Sequence, residues 1–219
     1  MGLSKNQIVL LCSTPLLCGT MIYLVPALTI TFGKTIGYIA AFCVYWFVFC
    51  IPISLYVSGG VNGLKSIYSM KSDVTTVTKF IHYFIAFIPC IAIFFVAFIK
   101  VAPQTTIQIL FVSLFCALIN GTIEELFWRG VFNKIFKDKI FFAYIFPAIF
   151  FGVWHIGLFL ARGINYQGGF IALVGGATFM GWLWGWIAYK TKSIKITTTA
   201  HIISNFLAFT TLIYENWYI

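Results

Sequence analysis

Apolar residues fall along this chain in seven long blocks, separated by short stretches that carry Lys, Gly or Pro. The blocks lie at about 8–32, 36–58, 80–99, 107–133, 140–160, 169–189 and 194–213. About 20 apolar residues in helical form cross the ~30 Å hydrocarbon core of a bilayer. Each block is long enough, and none shows the two-residue alternation of a half-buried strand. The pattern predicts an all-α fold: a polytopic membrane helix bundle of about seven transmembrane helices, forming a single domain over residues 1–219. The longest connection, 59–79, holds Gly59, Gly60, Gly63, Lys65, Lys71, Asp73 and Lys79, and is expected to be a loop with an interfacial helix.

Composition agrees with lipid as the solvent. Of 219 residues, 61% are hydrophobic and 9% charged, against roughly a quarter charged in soluble domains. This argues against a water-soluble globular enzyme, a disordered chain or a disulfide-stapled module. Net charge is +9, but the basic residues are scattered between apolar runs, which excludes a nucleic-acid-binding surface and fits the positive-inside pattern. On one side lie Lys5, Lys65, Lys71, Lys79, Lys134, Lys137, Lys139, Lys190, Lys192 and Lys195; on the other lie Lys34, Lys100 and Arg162. A ten-to-three bias places the N-terminus in the cytoplasm and the protein in a plasma membrane. The Phe-, Ile- and Lys-rich composition points to a low-GC bacterium. The first apolar run is too long for a signal-peptide core. The six cysteines lie in apolar helices without a C-x-x-C pair and are expected to be buried small hydrophobes.

The chemistry must lie in polar residues that a membrane rejects, because a charge at mid-bilayer costs at least ~2.5–3.5 kcal/mol. Adjacent Glu124 and Glu125 are the acidic residues inside a span; Arg129, His155 and His201 are the other ionisable groups at similar depth. Neighbours in a helix point about 100° apart, so the two glutamates take different roles. Glu125 and Arg129, four apart with the acid first, form an ion pair. That leaves Glu124 unpaired, with Asn120, Gly121 and Trp128 as helical neighbours, and makes it the candidate general base. Phe151 and His155 share a helix face, as do His201 and Asn205. The latter pair sets two hydrogen-bond donors on one stripe, as an oxyanion requires. At ~1.5 Å per residue, Glu124 lies roughly 15 Å, His201 roughly 10 Å and His155 roughly 22 Å from the lysine-bearing loops. The three helices are expected to converge on a cavity nearer the cytoplasmic side.

Glu124-Glu125-Leu126-Phe127-Trp128-Arg129 fits E-E-x-x-x-R, Phe151–His155 fits F-x-x-x-H, and His201–Asn205 fits H-x-x-x-N. In this order the set resembles the three motifs of the CAAX protease and bacteriocin-processing (CPBP) family of intramembrane glutamic endopeptidases. The resemblance covers about 107–213, the expected catalytic core. It implies that Glu124 and His155 activate a water, that His201 and Asn205 stabilise the oxyanion, and that Glu125 and Arg129 support the site, with Phe151 beside them. It implies a membrane-associated peptide or protein as substrate (a bacteriocin or pheromone leader, or a CAAX-like chain) and no cofactor.

Three alternatives stand beside it. One is a zinc-dependent version of the same protease, with Glu124, His155 and His201 as ligands; no H-E-x-x-H motif is present. Another is a non-catalytic bacteriocin-immunity or scaffold protein, which would tolerate Glu124→Gln. The third, a proton-coupled transporter, would want inverted repeats, and none is visible. Finally, Ala177, Gly181 and Gly185 form a small-residue stripe. It predicts close helix approach, either within one chain or across a homodimer seam.

Overall fold

The computed structural model describes residues 2–69 and 75–218, and every regular element among them is helical. Lys71 and Asp73 of the longest connection lie outside the described residues. Six helical segments are long and apolar enough to cross a membrane. The first, Lys5–Ser58, holds 54 residues, roughly 80 Å of helix at ~1.5 Å per residue, and so covers two spans. Gly33, at φ 75° and ψ 166°, divides it. Only glycine takes such a φ without strain. The chain turns back there so tightly that a Cβ on Gly37 would lie 2.4 Å from the Leu28 carbonyl oxygen. We number the helices α1 (5–32), α2 (34–58), α3 (Val61–Ser69), α4 (Val77–Gln104), α5 (Ile107–Phe136), α6 (Phe141–Phe159), α7 (Ile171–Thr191) and α8 (Lys195–Trp217). The seven long apolar helices are those the hydrophobic blocks predicted, and α3 is the short helix expected in the long connection.

Polar contacts fix which helix ends lie together. At one end Lys134 Nζ donates to the Ser58 carbonyl, the Gly63 carbonyl and Ser66 Oγ, and Lys192 meets Asp138. At the other end Lys34 Nζ donates to the Asn216 carbonyl, Trp217 Nε1 donates to Thr35 Oγ1, and the Arg162 amide donates to Thr29 Oγ1. The helices therefore alternate in direction. Nearly all described lysines gather at the first end, called the lysine-rich end below.

Small residues set how closely the helices approach. A Cβ on Gly121 of α5 would lie 3.0 Å from the Ile202 backbone nitrogen of α8, and one on Gly157 of α6 would lie 2.7 Å from the Met21 carbonyl of α1. The Ala177–Gly181–Gly185 stripe of α7 packs against α6. A Cβ on Gly181 would meet the Ala148 carbonyl at 2.9 Å and one on Gly185 the Tyr144 ring at 3.0 Å. Packing within one chain thus occupies the Gly181 and Gly185 positions of the stripe. Of the six cysteines, all free, Cys18, Cys50 and Cys90 are buried, but Cys12 and Cys43 are exposed. The expectation that all six are buried fails for these two, because in a bundle solvated by lipid an apolar residue gains as much from facing outwards.

Candidate active site

The close crossing of α5 and α8 at Gly121 and Ile202 brings Glu124 and Glu125 against His201. All three are buried: Glu124 is 1% exposed, Glu125 0% and His201 2%. His201 Nδ1 lies 2.9 Å from Glu125 Oε1, and its Nε2 lies 3.2 Å from Glu124 Oε2. One imidazole thus spans both carboxylates. Arg129 Nη1 lies 3.0 Å from the same Glu125 oxygen, as the four-residue spacing predicted. With both His201 nitrogens donating, the two carboxylates, the guanidinium and the imidazole balance in charge. An unbalanced set would be costly in lipid.

Phe151 explains its place in the second motif. The Arg129 guanidinium carbon sits 4.0 Å from the Phe151 ring centre, and the ring packs edge-on to His155 and to His201. A cation over an aromatic face gains most when desolvated, and Arg129 is 2% exposed. Trp184 closes the far side, 4.7 Å from the His201 ring.

Glu124 is not the unpaired carboxylate that helix-face reasoning predicted. Besides His201, Tyr45 donates to its Oε1 at 2.8 Å and Asn120 Nδ2 donates to its Oε2 at 2.9 Å. The donor directions are fixed, because indole nitrogens only donate. Trp128 Nε1 donates to the Tyr45 oxygen at 2.7 Å, so the tyrosine hydrogen points to Glu124. Trp46 Nε1 donates to Asn120 Oδ1 at 2.9 Å, so the amide nitrogen faces the carboxylate. Tyr45 also stacks on Trp154, with ring centres 4.0 Å apart. Tyr45 and Trp46 begin one π-helical turn (Tyr45–Cys50), and Trp128 and Arg129 lie in another (Leu126–Val131). Such widened turns recur at functional sites. Tyr45 and Trp46 were missed from sequence. The signal available was weak: a Tyr hydroxyl or Trp indole inside an apolar span needs a partner, but nothing in the chain says which.

His155 differs from His201. Its Nδ1 lies 2.7 Å from the Phe151 carbonyl oxygen. A carbonyl can only accept, so Nδ1 carries the hydrogen and Nε2 keeps a free lone pair. Asn205, one turn beyond His201 on α8, has a buried Nδ2 with no partner among the described residues. Glu124, His155, His201 and Asn205 all line one cavity of about 570 Å³. It contains the candidate base (the Glu124 carboxylate), an imidazole nitrogen with a lone pair (His155 Nε2) and an unused amide donor (Asn205). The sequence expectation paired His201 with Asn205 as oxyanion donors. In the structure the His201 nitrogens face the glutamates, and the unused donor is Asn205.

The cavity runs from Glu124 away from the lysine-rich end, reaching Lys100, Gln167 and Glu215. Depth reasoning had placed it nearer the lysine-bearing loops. Those loops lie closer to the glutamates along α5 and α8, but bulky side chains fill the space between. Phe127, Val131, Phe132 and Phe136 are all at most 2% exposed.

A shared zinc would need Glu124, His155 and His201 to aim lone pairs at one point. Both His201 nitrogens face carboxylates, and among the described residues no group of three His, Cys, Asp or Glu could hold a metal ion. As placed, Glu124, His155 and His201 do not aim lone pairs at one shared point.

Comparison with curated proteins and with solved structures found no match to the chain. A family model does match: residues 104–207 fit the type II CAAX prenyl endopeptidase Rce1-like model. This stretch is just under half of the chain, and it contains all three motifs but not Tyr45. The part of the chain that carries the buried carboxylates, both imidazoles and the free amide is thus the part similar to the Rce1-like type II CAAX prenyl endopeptidases.

Proposed function

We propose that the protein is an intramembrane endopeptidase that cleaves a membrane-associated peptide or protein by direct attack of an activated water. The observation that carries this reading is the convergence of three unlike groups on one cavity: the Glu124 carboxylate, the free Nε2 of His155 and the unpartnered amide of Asn205. Water sits between Glu124 and His155, and Glu124, aided by His155, takes a proton from it as its oxygen attacks the scissile carbonyl. Asn205 Nδ2 donates to the oxygen as negative charge develops there. The tetrahedral intermediate then collapses, the C–N bond breaks and the amine leaves with the proton. His201, Glu125 and Arg129 hold Glu124 in place from behind, while Tyr45 and Asn120 hold it from the side. No covalent enzyme intermediate forms.

Bacteriocin leaders and peptide pheromone precursors suit the expected bacterial origin better than a prenylated CAAX chain. The protein belongs in a bacterial plasma membrane, N-terminus inside, on the lysine bias. The test is purified protein in lipid nanodiscs, incubated with a library of membrane peptides and read by mass spectrometry. A defined cut that disappears in the Glu124→Gln variant supports the reading. A Glu124→Gln variant that retains full biological function points instead to a scaffold or immunity role.

A further inference from the structure

The side from which the cavity is entered follows from what closes one end and what lines the other. At the lysine-rich end α3 lies across the bundle. Its Ile67 is 1% exposed and sits where a Cβ on Gly130 would be 2.6 Å from Ile67 Cγ2. Lys134 ties the start of α3 down through the Ser58 and Gly63 carbonyls and Ser66 Oγ. Beneath α3, Phe127, Phe132 and Phe136 fill the interior. Among the described residues, these buried rings stand between α3 and the glutamates.

The other half of the bundle is open. From Asn205 the cavity passes Ala208 and Leu212 on α8 and ends at Glu215. His201 to Glu215 is fourteen residues, roughly 21 Å at ~1.5 Å per residue, more than half the thickness of the hydrocarbon core. Its walls are mostly apolar, with Ala92 and Ala97 on α4 and Ala172 and Ala177 on α7 set among larger side chains such as Phe42, Trp154 and Met180. Val96, also on the wall, is 64% exposed, so the cavity reaches the flank of the bundle as well as its end. Exposed Lys100 and Gln167, with half-buried Glu215, form the rim. A peptide must be extended to offer its carbonyl to a water, because a helix keeps its carbonyls in its own hydrogen bonds. An apolar wall suits a peptide already dissolved in the bilayer.

We infer that the cleft takes an extended, apolar peptide segment from the half of the bilayer opposite the lysine-rich loops, that is, from the extracytoplasmic leaflet, past a rim of Lys100, Gln167 and Glu215. The inference rests on reading the cavity as the substrate cleft of a protease. It makes the substrate class an exported or outward-facing membrane peptide rather than a cytoplasmic C-terminus.

The test uses three variants of the full chain in intact cells, each adding one cysteine to the six native ones: Gln167→Cys at the rim, Ala208→Cys in the cleft and Lys139→Cys in a lysine-bearing loop. A small membrane-impermeant thiol reagent is added outside, with the wild-type chain as the blank. Modification of 167 and 208 without 139 is the expected result. Modification of 139 from outside, or of 208 only after permeabilisation, overturns the inference. A bulky adduct on Gln167→Cys should also lower Glu124-dependent peptide cleavage at least tenfold, whereas the same adduct on Lys139→Cys leaves it unchanged. An undiminished rate with 167 fully modified overturns the route. Absence of any Glu124-dependent cleavage in the unmodified chain overturns the protease reading instead, and the labelling pattern still decides the side of the mouth.

Discussion

Glu124 is held by three neighbours, Tyr45, Asn120 and His201, and the residues of the site differ in how visible they are in the sequence. Glu125, Arg129, His155, His201 and Asn205 could be found because lipid makes every ionisable or amide side chain conspicuous. Tyr45 could not, because an aromatic in an apolar span looks like any packing residue until its hydroxyl is seen 2.8 Å from Glu124. Removing that hydroxyl tests its importance. Tyr45→Phe keeps the stack on Trp154 but deletes a charge-assisted hydrogen bond of about 1.5–3 kcal/mol. If the bond strengthens in the transition state, kcat for peptide cleavage should fall roughly ten- to a hundredfold, with KM little changed. A rate equal to wild type would show that Asn120 and His201 suffice. Glu125 has a different task. Glu125→Ala leaves Arg129 buried beside Phe151 and Trp184 without its carboxylate, and breaking one partner of a buried pair costs roughly 3–5 kcal/mol. Thermal unfolding in detergent should show a clearly lower Tm for Glu125→Ala than for Glu124→Gln. Equal Tm values would contradict the division of roles between the two glutamates.

At the scale of helices, hydrophobic blocks were enough to find all seven spans to within a few residues, since length and apolarity are properties of the chain alone. Which helices touch is a matter of small residues, and that was only partly legible. The α7 stripe announced a close approach without naming its partner, which is α6. Gly121 gave no such signal, although its crossing with Ile202 sets the distance between the glutamates and His201. Gly121→Val would place a branched side chain where even a Cβ lies 2.9 Å from Ile202 Cγ1 and 3.0 Å from its backbone nitrogen. Overpacking of this kind costs about 1–3 kcal/mol. Melting should be lowered accordingly, and cleavage should be lost because α8 carries His201 and Asn205 away from α5. Gly176→Ala, whose Cβ meets nothing within 4 Å, is the control and should melt like wild type. A Gly121→Val variant that melts and cleaves normally would show that the crossing tolerates separation.

For the molecule as a whole, the cavity and its direction were the least legible features. Depth along each helix put the site nearer the lysine-rich end. Whether space exists there depends on how Phe127, Phe132 and Phe136 pack under α3, and only the folded bundle shows that. The same bundle bears on the metal question, because His201 spends both nitrogens on carboxylates. Activity should therefore persist after exhaustive treatment with a strong zinc chelator, with well under one zinc per chain by elemental analysis. Loss of activity that stoichiometric zinc restores would overturn the mechanism while leaving the protease class intact. The central claim is that Glu124 does chemistry in this membrane cavity. Its most direct test is the ratio of cleavage rates of wild type and Glu124→Gln on one membrane peptide, measured in the same nanodiscs at equal folded concentration. Losing a general base should lower the rate at least about a hundredfold without unfolding the variant. A Glu124→Gln protein that cuts the peptide at close to the wild-type rate would contradict the account.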